Sequence, residues 1–232
     1  MLITSISGIR GTIGGIAGQG LTPPDVVRFA SGYAKWLKDS SGKTQPTVVV
    51  GRDARMSGMM VRDCLVGTLN AMGVHVLDLG LSTTPTVELA VPGEQADGGI
   101  VLTASHNPKQ WNAMKLLDAH GEFLSSENGE KVLKWASMAL EYTEIDAIGR
   151  TDHREGWMER HVAHATELAL VDVEAVRKRG LRVAVDAVNS SGGIIMPMLL
   201  EAMGCEVIRI HCDPTGDFAH NPEPLPNHLV DL

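Results

Sequence analysis

The stretch GGIVLTASHNP, from Gly98 to Pro108, joins an apolar run to a short polar segment. The run from Gly98 to Leu102 predicts a buried strand, which places Ser105 in a loop at the carboxyl end of that strand. Such loops carry ligands in α/β folds, because the scaffold is rigid and the loop is free to present polar groups. Ser105 is therefore a candidate nucleophile or phosphoryl carrier. The alternative is an ordinary strand-to-turn junction, where Ser, Asn and Pro satisfy or terminate backbone hydrogen bonding.

The composition is that of a globular chain. Its 232 residues, 44% of them hydrophobic, are enough for one large or two modest domains. The formal charge is −8, from 20 Lys and Arg against 28 Asp and Glu. Neither sign forms a long run, so we expect no nucleic-acid partner and no anionic membrane surface.

With no signal-peptide pattern and no apolar stretch of about 18 residues, the predicted location is cytoplasmic. Three scattered cysteines indicate neither a disulfide framework nor a thiolate metal site.

Short apolar runs alternate with helical patterns on either side of the Ser105 segment. Strands are predicted at 47–50, 74–79 and 113–117, and helices at 22–37, 57–72, 85–91 and 127–140. This alternation favours a sheet covered by helices. The segment around Ser105 is too short for a crossover helix, so the strands that it joins should be antiparallel and the sheet mixed.

The alternation also predicts the domain organisation. A first domain is expected at 1–151, a helical connector at 152–180, and a second α/β unit at 181–232. That unit shows a strand at 181–186, a helix at 192–203 and a strand at 206–210. A doubly wound domain usually needs upwards of about 100 residues to bury both faces of its sheet, so the second unit is predicted to be incomplete.

A glycine-rich segment near the amino terminus, from Ser7 to Gly15, contains one arginine, Arg10. Its backbone amides could approach an anion closely, while the guanidinium group binds phosphate in a fork. The alternative is a flexible loop. The segment lacks the Gly-Lys-Ser/Thr ending of a P-loop, so nucleotide binding is not supported.

Two further loop segments, one lysine and one pair of histidines are also candidates for the site. The segments 51–58 and 80–86 each follow a predicted strand, so they should reach the same sheet edge as Ser105, although the Arg/Asp pairing in the first is typical of a structural salt-bridged turn. A hairpin would bring Lys115 back beside Ser105, where its ammonium group could neutralise a phosphate; the alternative is a strand lysine that points to water. His161 and His164 have helical spacing, and without a nearby carboxylate a solvent-facing pair is favoured over a metal site.

Five motifs resemble, in the same order, those of the α-D-phosphohexomutases, a family that includes the phosphoglucosamine, phosphomannose and phosphoglucose mutases. They are SGIRG at 7–11, GRDARMSG at 51–58, TTPT at 83–86, TASHNP at 103–108 and NAMK at 112–115. Asp186, Asn189, Gly192-Gly193 and NPEP at 221–224 are similar to the start of the family's second domain. The resemblance covers essentially the whole chain. It implies a three-layer mixed-sheet domain followed by a partial second α/β domain.

The resemblance also implies a reaction. Ser105 would be a phosphoserine that gives its phosphoryl group to a hexose or hexosamine phosphate through a bisphosphate intermediate. Arg10 and Lys115 would neutralise its charge, and His106 and Asn107 would orient its loop. The residues expected to bind phosphate are Ser7, Gly8, Arg10, Gly11, Asn107 and Lys115. The implied cofactor is Mg²⁺, held in part by an oxygen of phosphorylated Ser105, and a hexose 1,6-bisphosphate is the implied activator.

The sequence departs from the family pattern in two ways. It contains no Asp-Gly-Asp-x-Asp-Arg metal loop and no sugar-recognition loop, so we expect the amino-terminal half of an isomerase-class phosphotransferase, with little mutase activity by itself. Ala113 stands where the family usually has Gly, and its methyl group would forbid a positive φ there.

The SGIRG opening is closest to the phosphoglucosamine branch, which favours glucosamine phosphate over mannose or glucose phosphate. Two other functions remain open from the residues. One is a non-catalytic module that binds a sugar phosphate, and the other is a phosphatase that uses Ser105 as a transient carrier.

Overall fold

The computed structural model describes residues 1–5 and 8–232. Strand β3 (Thr47–Arg52) lies inside the main sheet and is buried on both faces. Successive side chains of a strand point to opposite faces, so Val48 and Val50 join one buried apolar cluster while Val49 joins another. Strand β5 (Gly98–Leu102) divides in the same way, with Ile100 in the first cluster and Val101 in the second. The predicted strand that precedes Ser105 is therefore confirmed.

Helices cover both faces of this sheet. Helices α1 (Pro23–Ser41), α2 (Gly58–Ala71) and α4 (Ser126–Ala136) contribute to the first cluster. Helix α3 (Thr84–Gly93) contributes to the second. The predicted three-layer arrangement is confirmed. Helix α4 ends earlier than predicted, because both the N–H and the hydroxyl of Ser137 bond to the carbonyl of Lys134 and close the last turn.

The main sheet has seven strands in the order β1-β2-β6-β5-β3-β4-β7. The remaining strands are β1 (Leu2–Ser5), β2 (Gly8–Thr12), β4 (His75–Leu81), β6 (Trp111–Leu117) and β7 (Thr151–His153). Strand β3 is parallel to both β4 and β5, whereas β5 and β6 are antiparallel, so the sheet is mixed as predicted.

Part of the glycine-rich segment near the amino terminus is a strand, so the alternative of a flexible loop does not hold there. From Gly8 to Thr12 it forms strand β2, because its backbone pairs with β1 on one side and β6 on the other. Gly8 has φ 131°, and a Cβ there would overlap the carbonyl oxygen of Met114. Glycine is required at this position for close approach to the neighbouring strand.

The connector and the second unit follow. The connector holds helices α5 (Trp157–Thr166) and α6 (Val173–Arg179), and the second unit holds β8 (Arg182–Asp186), α7 (Gly192–Ala202) and β9 (Glu206–Ile210). Strands β8 and β9 form a separate parallel pair. Helix α5 joins the two units, since Trp157 enters the second cluster of the main sheet while Val162 contacts Ile195 of α7. Strand β7 extends the main sheet past Thr151, where the first domain was predicted to end.

The helices in the described part of the chain are all too short or too polar to cross a membrane.

Candidate functional site

Parallel strands bring three loops to one edge of the main sheet. Strands β3, β4 and β5 all point the same way, so the segments that follow Arg52, Leu81 and Leu102 meet at their carboxyl ends. Strand β6 starts at this edge and returns antiparallel to β5, with Lys115 opposite Val101. The predicted convergence of the motif segments on the Ser105 edge is confirmed.

A pocket of about 420 Å³ lies at this edge. Six of the residues singled out in the sequence line it: Gly8, Arg10, Ser105, His106, Asn107 and Lys115. Gly11 does not line it; this glycine is buried, and a Cβ there would approach Leu21 and Met1. Ser7 lies outside the described residues. The hairpin therefore does return Lys115 to Ser105, as the sequence predicts.

Ser105 has an unusual backbone conformation, with φ 55° in the left-handed region. A residue with a Cβ pays roughly 1–2 kcal/mol for that conformation. The N–H of Ser105 donates to Oγ1 of Thr103 at 3.0 Å. Its Oγ lies 3.4 Å from Nδ1 of the exposed His106. The side-chain amide of Asn107 donates to the carbonyl of Ala104 at 2.8 Å and closes the turn beneath Ser105.

Arg10 and Lys115 give the pocket its positive charge. Arg10 is exposed and pairs across the sheet with Ala113, whereas Lys115 is half-buried. Burial lowers the pKa of Lys115, against the opposing charges of Glu88 and Asp53. Burial likewise raises the pKa of Glu88, against the charge of Lys115. The strand-lysine alternative does not hold, because the Lys115 side chain faces the pocket beside Ser105.

Ala113 is accommodated without strain. It has a negative φ and lies in the regular part of β6, opposite Arg10. The methyl side chain of Ala113 is therefore compatible with the φ angle that the strand requires at this position.

The side chain of Arg55 lies beneath the Ser105 loop and has 0% of its surface exposed. Its Nε donates to the Asp53 carboxylate, as expected for a salt-bridged turn. Sequence reasoning missed the remaining contacts, in which the guanidinium donates to the carbonyls of Ser105, Asn107, Pro108 and Trp111. The sequence signal was only that this arginine follows a strand leading to the same edge as Ser105.

The second unit touches the same loops. Glu223 Oε2 lies 3.5 Å from Nε2 of His106. The ring of Phe218 lies 5.0 Å from the Arg55 guanidinium carbon, and the N–H of Ala54 donates to Oγ of Ser190 at 3.4 Å. Nothing in the spacing of Glu223 or Phe218 linked them to this site. One side of the candidate site is therefore bounded by residues of the second unit.

His161 and His164 do not form the predicted solvent-facing pair. His161 is partly buried, and its Nδ1 lies 2.9 Å from Oγ1 of the buried Thr86 on α3. Burial, followed by the charge of His164, lowers the pKa of His161. Within residues 1–5 and 8–232, no three His, Cys, Asp or Glu side chains are grouped so as to hold a metal ion. His161 instead joins the connector to the main domain.

Two family models match the chain. The model for the α/β/α domain I of phosphoglucomutase/phosphomannomutase matches residues 2–141. The model for domain II of the same proteins matches residues 159–232. Together they cover both α/β units.

Curated relatives extend the match along the chain. A phosphoglucomutase/phosphomannomutase of Thermococcus kodakarensis is 36% identical, over 94% of this chain and 48% of the relative. A phosphoglucosamine/phosphogalactosamine mutase of Sulfurisphaera tokodaii is 30% identical, over 90% of this chain and 45% of the relative. The chain spans about half the length of the curated relatives that it matches.

Solved structures agree with the fold. A protein from Thermus thermophilus superposes with a TM-score of 0.82 at 27% identity, over 99% of this chain and 50% of the other. A phosphoglucomutase/phosphomannomutase family protein from Burkholderia thailandensis superposes with a TM-score of 0.73 at 25% identity, over 95% and 47%.

Proposed function

Since this chain belongs to the phosphoglucomutase/phosphomannomutase family, we propose that it supplies the phosphoryl-carrying side of a phosphohexomutase, with Ser105 as the carrier. The observation that supports this is the pocket in which Ser105, Arg10 and Lys115 meet. A hydroxyl beside a guanidinium and an ammonium group suits a phosphoryl group, which needs positive charge around it. The proposed activity is that of an intramolecular phosphotransferase of the isomerase class.

The proposed reaction consists of two transfers of one kind. In the first, a free hydroxyl of the sugar monophosphate attacks the phosphorus of phosphorylated Ser105. The Oγ–P bond breaks as the new O–P bond forms, and the proton of the sugar hydroxyl passes to the serine oxygen. In the second, the Ser105 hydroxyl attacks the phosphorus of the other phosphate of the resulting bisphosphate. The sugar O–P bond breaks as the Oγ–P bond forms, and the serine proton passes to the sugar oxygen, which restores the phosphoserine and frees the isomeric monophosphate. Covalent catalysis thus divides one awkward transfer into two similar ones.

The pocket residues have positioning and charge-neutralising roles in this proposal. Phosphoryl transfer passes through a loose transition state, so catalysis depends on alignment and on compensation of negative charge. The planar guanidinium group of Arg10 can donate hydrogen bonds to two phosphate oxygens at once. Lys115 offers a point charge that is only partly screened by solvent, and His106 and Asn107 keep the Ser105 loop in place.

The proposed substrates are hexose or hexosamine phosphates interconverted between 6-phosphate and 1-phosphate. The relatives include a phosphoglucomutase/phosphomannomutase and a phosphoglucosamine/phosphogalactosamine mutase. We favour glucosamine phosphate on the SGIRG opening, with mannose or glucose phosphate as the second candidate. Cytoplasmic location and the absence of nucleic-acid and membrane partners remain predictions.

The described residues do not provide a full set of ligands for Mg²⁺. The described residues bring no three metal-ligating side chains together, so the residues present do not fit a magnesium site of their own. The predicted contribution of this chain is one oxygen of phosphorylated Ser105.

The experiment uses the 232-residue chain with glucose 1,6-bisphosphate and Mg²⁺, followed by intact-mass and peptide mass spectrometry. We expect one added phosphate on Ser105, absent in Ser105→Ala and retained in Ser41→Ala, a serine at the end of α1. An unmodified chain that still binds the sugar phosphate would instead favour the binding module. Net release of inorganic phosphate would favour the phosphatase.

A further inference from the structure

Three residues, Thr103, Asp53 and Arg55, form a closed hydrogen-bond ring with the backbone of Ser105 and hold it from both sides. The N–H of Ser105 donates to Thr103 Oγ1 at 3.0 Å, and the Thr103 hydroxyl donates to Asp53 Oδ2 at 2.6 Å. The same carboxylate oxygen accepts from Arg55 Nε at 3.1 Å, and Arg55 NH2 donates to the carbonyl of Ser105 at 2.8 Å. Each member is therefore fixed by two others.

Arg55 is the member that also holds the rest of the loop. Its two terminal nitrogens donate to the carbonyls of Asn107, Pro108 and Trp111 at 2.7–2.9 Å. Two of these carbonyls belong to the segment between β5 and β6, and the third belongs to Trp111, the first residue of β6. A planar fork with five N–H donors can serve so many acceptors at once, whereas a lysine offers three donors from one nitrogen.

The charge of Arg55 is balanced locally. Asp53 lies against it, and both side chains are buried or nearly so, with 0% and 10% of their surfaces exposed. Burial lowers the pKa of Arg55, opposed by the charge of Asp53. Arg55 is absent from the residues that line the Ser105 pocket. It therefore acts on the pocket through the loop backbone and has no contact with a pocket ligand.

We infer that Arg55 is a positioning residue for phosphoryl transfer: it holds Ser105 in the left-handed conformation that turns the hydroxyl into the pocket. This inference rests on the proposed function of Ser105. The left-handed backbone is unfavourable for serine by itself, so the loop needs bonds to its carbonyls to keep it there. Without the guanidinium, these partly buried carbonyls would lose their donor and the loop would rearrange.

The test compares Arg55→Lys, Arg55→Ala and wild-type chains in the rate at which glucose 1,6-bisphosphate with Mg²⁺ phosphorylates Ser105. We expect the maximal rate to fall roughly 10- to 100-fold, as for small misplacements of reacting groups. The bisphosphate concentration that gives half the maximal rate should change little, because Arg55 does not touch the pocket. Adding guanidinium ion at millimolar concentration should partly restore the rate of Arg55→Ala. This substitution leaves a cavity that fits the ion and that lies beside the Asp53 carboxylate.

The matched control is Arg62→Lys. Arg62 is also an arginine bonded to carboxylates, those of Asp78 and Asp63, with 19% of its side-chain surface exposed, but it does not contact the Ser105 loop. This variant should lose some stability and keep its phosphorylation rate. Equal losses of rate in the Arg62 and Arg55 variants would overturn the inference, because they would show a general effect of destabilisation.

A second readout does not depend on the proposed function. Amide hydrogen exchange of residues 103–111 should accelerate in Arg55→Lys and stay unchanged in Arg62→Lys. If the wild-type chain takes up no phosphate, the proposed function fails for this chain and the phosphoryl-transfer part of the inference fails with it, while the exchange measurement still decides whether Arg55 holds the Ser105 loop. If residues 103–111 of Arg55→Lys exchange their amide hydrogens at the wild-type rate, the inference is overturned.

Discussion

The carboxylate of Glu223 lies 3.5 Å from the imidazole of His106, so a residue of the second unit reaches the loop that carries Ser105. Both side chains are substantially exposed, at 42% and 57% of their surfaces. The contact is an ion pair only when the imidazole is protonated. Exposed ion pairs contribute little to stability, since water and salt screen them and ordering two side chains costs entropy. Other contacts must therefore hold the second unit in place.

Glu223→Gln is expected to lower the free energy of unfolding by no more than about 1 kcal/mol. The loss should shrink as the salt concentration rises, because added ions already screen the pair in the wild type. Urea denaturation at low and high salt measures both effects. A large loss that is insensitive to salt would contradict this view of the contact.

Gly216 of the second unit packs closely against the backbone of the first unit. It has φ 76°, and a Cβ there would overlap the backbone carbonyl of Ala54. Gly216→Ala should therefore destabilise the protein by more than the conformational cost alone, which is about 1–2 kcal/mol. Gly180→Ala is the matched control, because Gly180 has φ 57° and open space around it. Equal losses in urea denaturation would show that the Ala54 contact adds nothing.

Lys115→Met should raise the stability of the folded chain at neutral pH while slowing phosphorylation of Ser105. Burial lowers the pKa of Lys115, so the folded state binds the lysine proton less tightly than the unfolded state does. The resulting penalty is present at low pH and disappears as the pH rises towards the ordinary lysine value of 10.5. The stability advantage of Lys115→Met should thus shrink as the pH rises from neutral towards 10.5.

Thermal unfolding across this pH range measures that advantage. Lys178→Met, which removes an exposed lysine of α6, should show no such change with pH. If the stability advantage of Lys115→Met stays constant with pH, desolvation of the Lys115 ammonium group in the wild type is not its cause.

Tyr33→Phe should cost about 1–3 kcal/mol in the free energy of unfolding. The Tyr33 hydroxyl donates to the buried carbonyls of Leu117 at 2.8 Å and Gly99 at 3.2 Å, and phenylalanine would leave both without this donor. Burial raises the pKa of Tyr33 far above its ordinary value, so its phenol keeps its proton until the protein unfolds. Stability should consequently fall as the pH rises through about 10 in the wild type, and less so in Tyr33→Phe.

An alkaline absorbance titration provides the second check. Wild type and Tyr33→Phe should give the same tyrosinate signal while folded and differ only after unfolding. A smaller folded-state signal in the variant would contradict the buried position of the phenol.

The sequence was enough to predict the main strands, because β3 and β5 are continuous apolar runs bounded by glycine and polar residues. It could not show β7, whose three residues, Thr151 to His153, carry no apolar pattern. That strand exists because the edge of β4 offers unpaired backbone groups. Strand β2 was likewise hidden by its glycines, which are typical of loops, although Gly8 is needed here for close contact with β6.

The candidate site was predicted only in part. Residues that carry recognisable chemistry, such as Ser105, Arg10 and Lys115, stand in motifs at the ends of strands. Arg55 was visible only as a local salt bridge, because its carbonyl partners lie 50 to 56 positions away and backbone carbonyls leave no trace in a sequence. The contact of Glu223 with His106 depends on how two units meet, which local patterns do not encode.

The parallel pairing of β3 with β5 has a consequence for how the protein folds. Val48 pairs with Gly98, and Arg55 reaches the carbonyl of Ser105 across 50 residues of chain. Contacts so distant in sequence cost loop-closure entropy before they return any stabilisation, so they form slowly. A chain emerging from the ribosome can form helix α1 long before it can form the pocket. Ser105 thus acquires its geometry only when the main sheet is nearly complete.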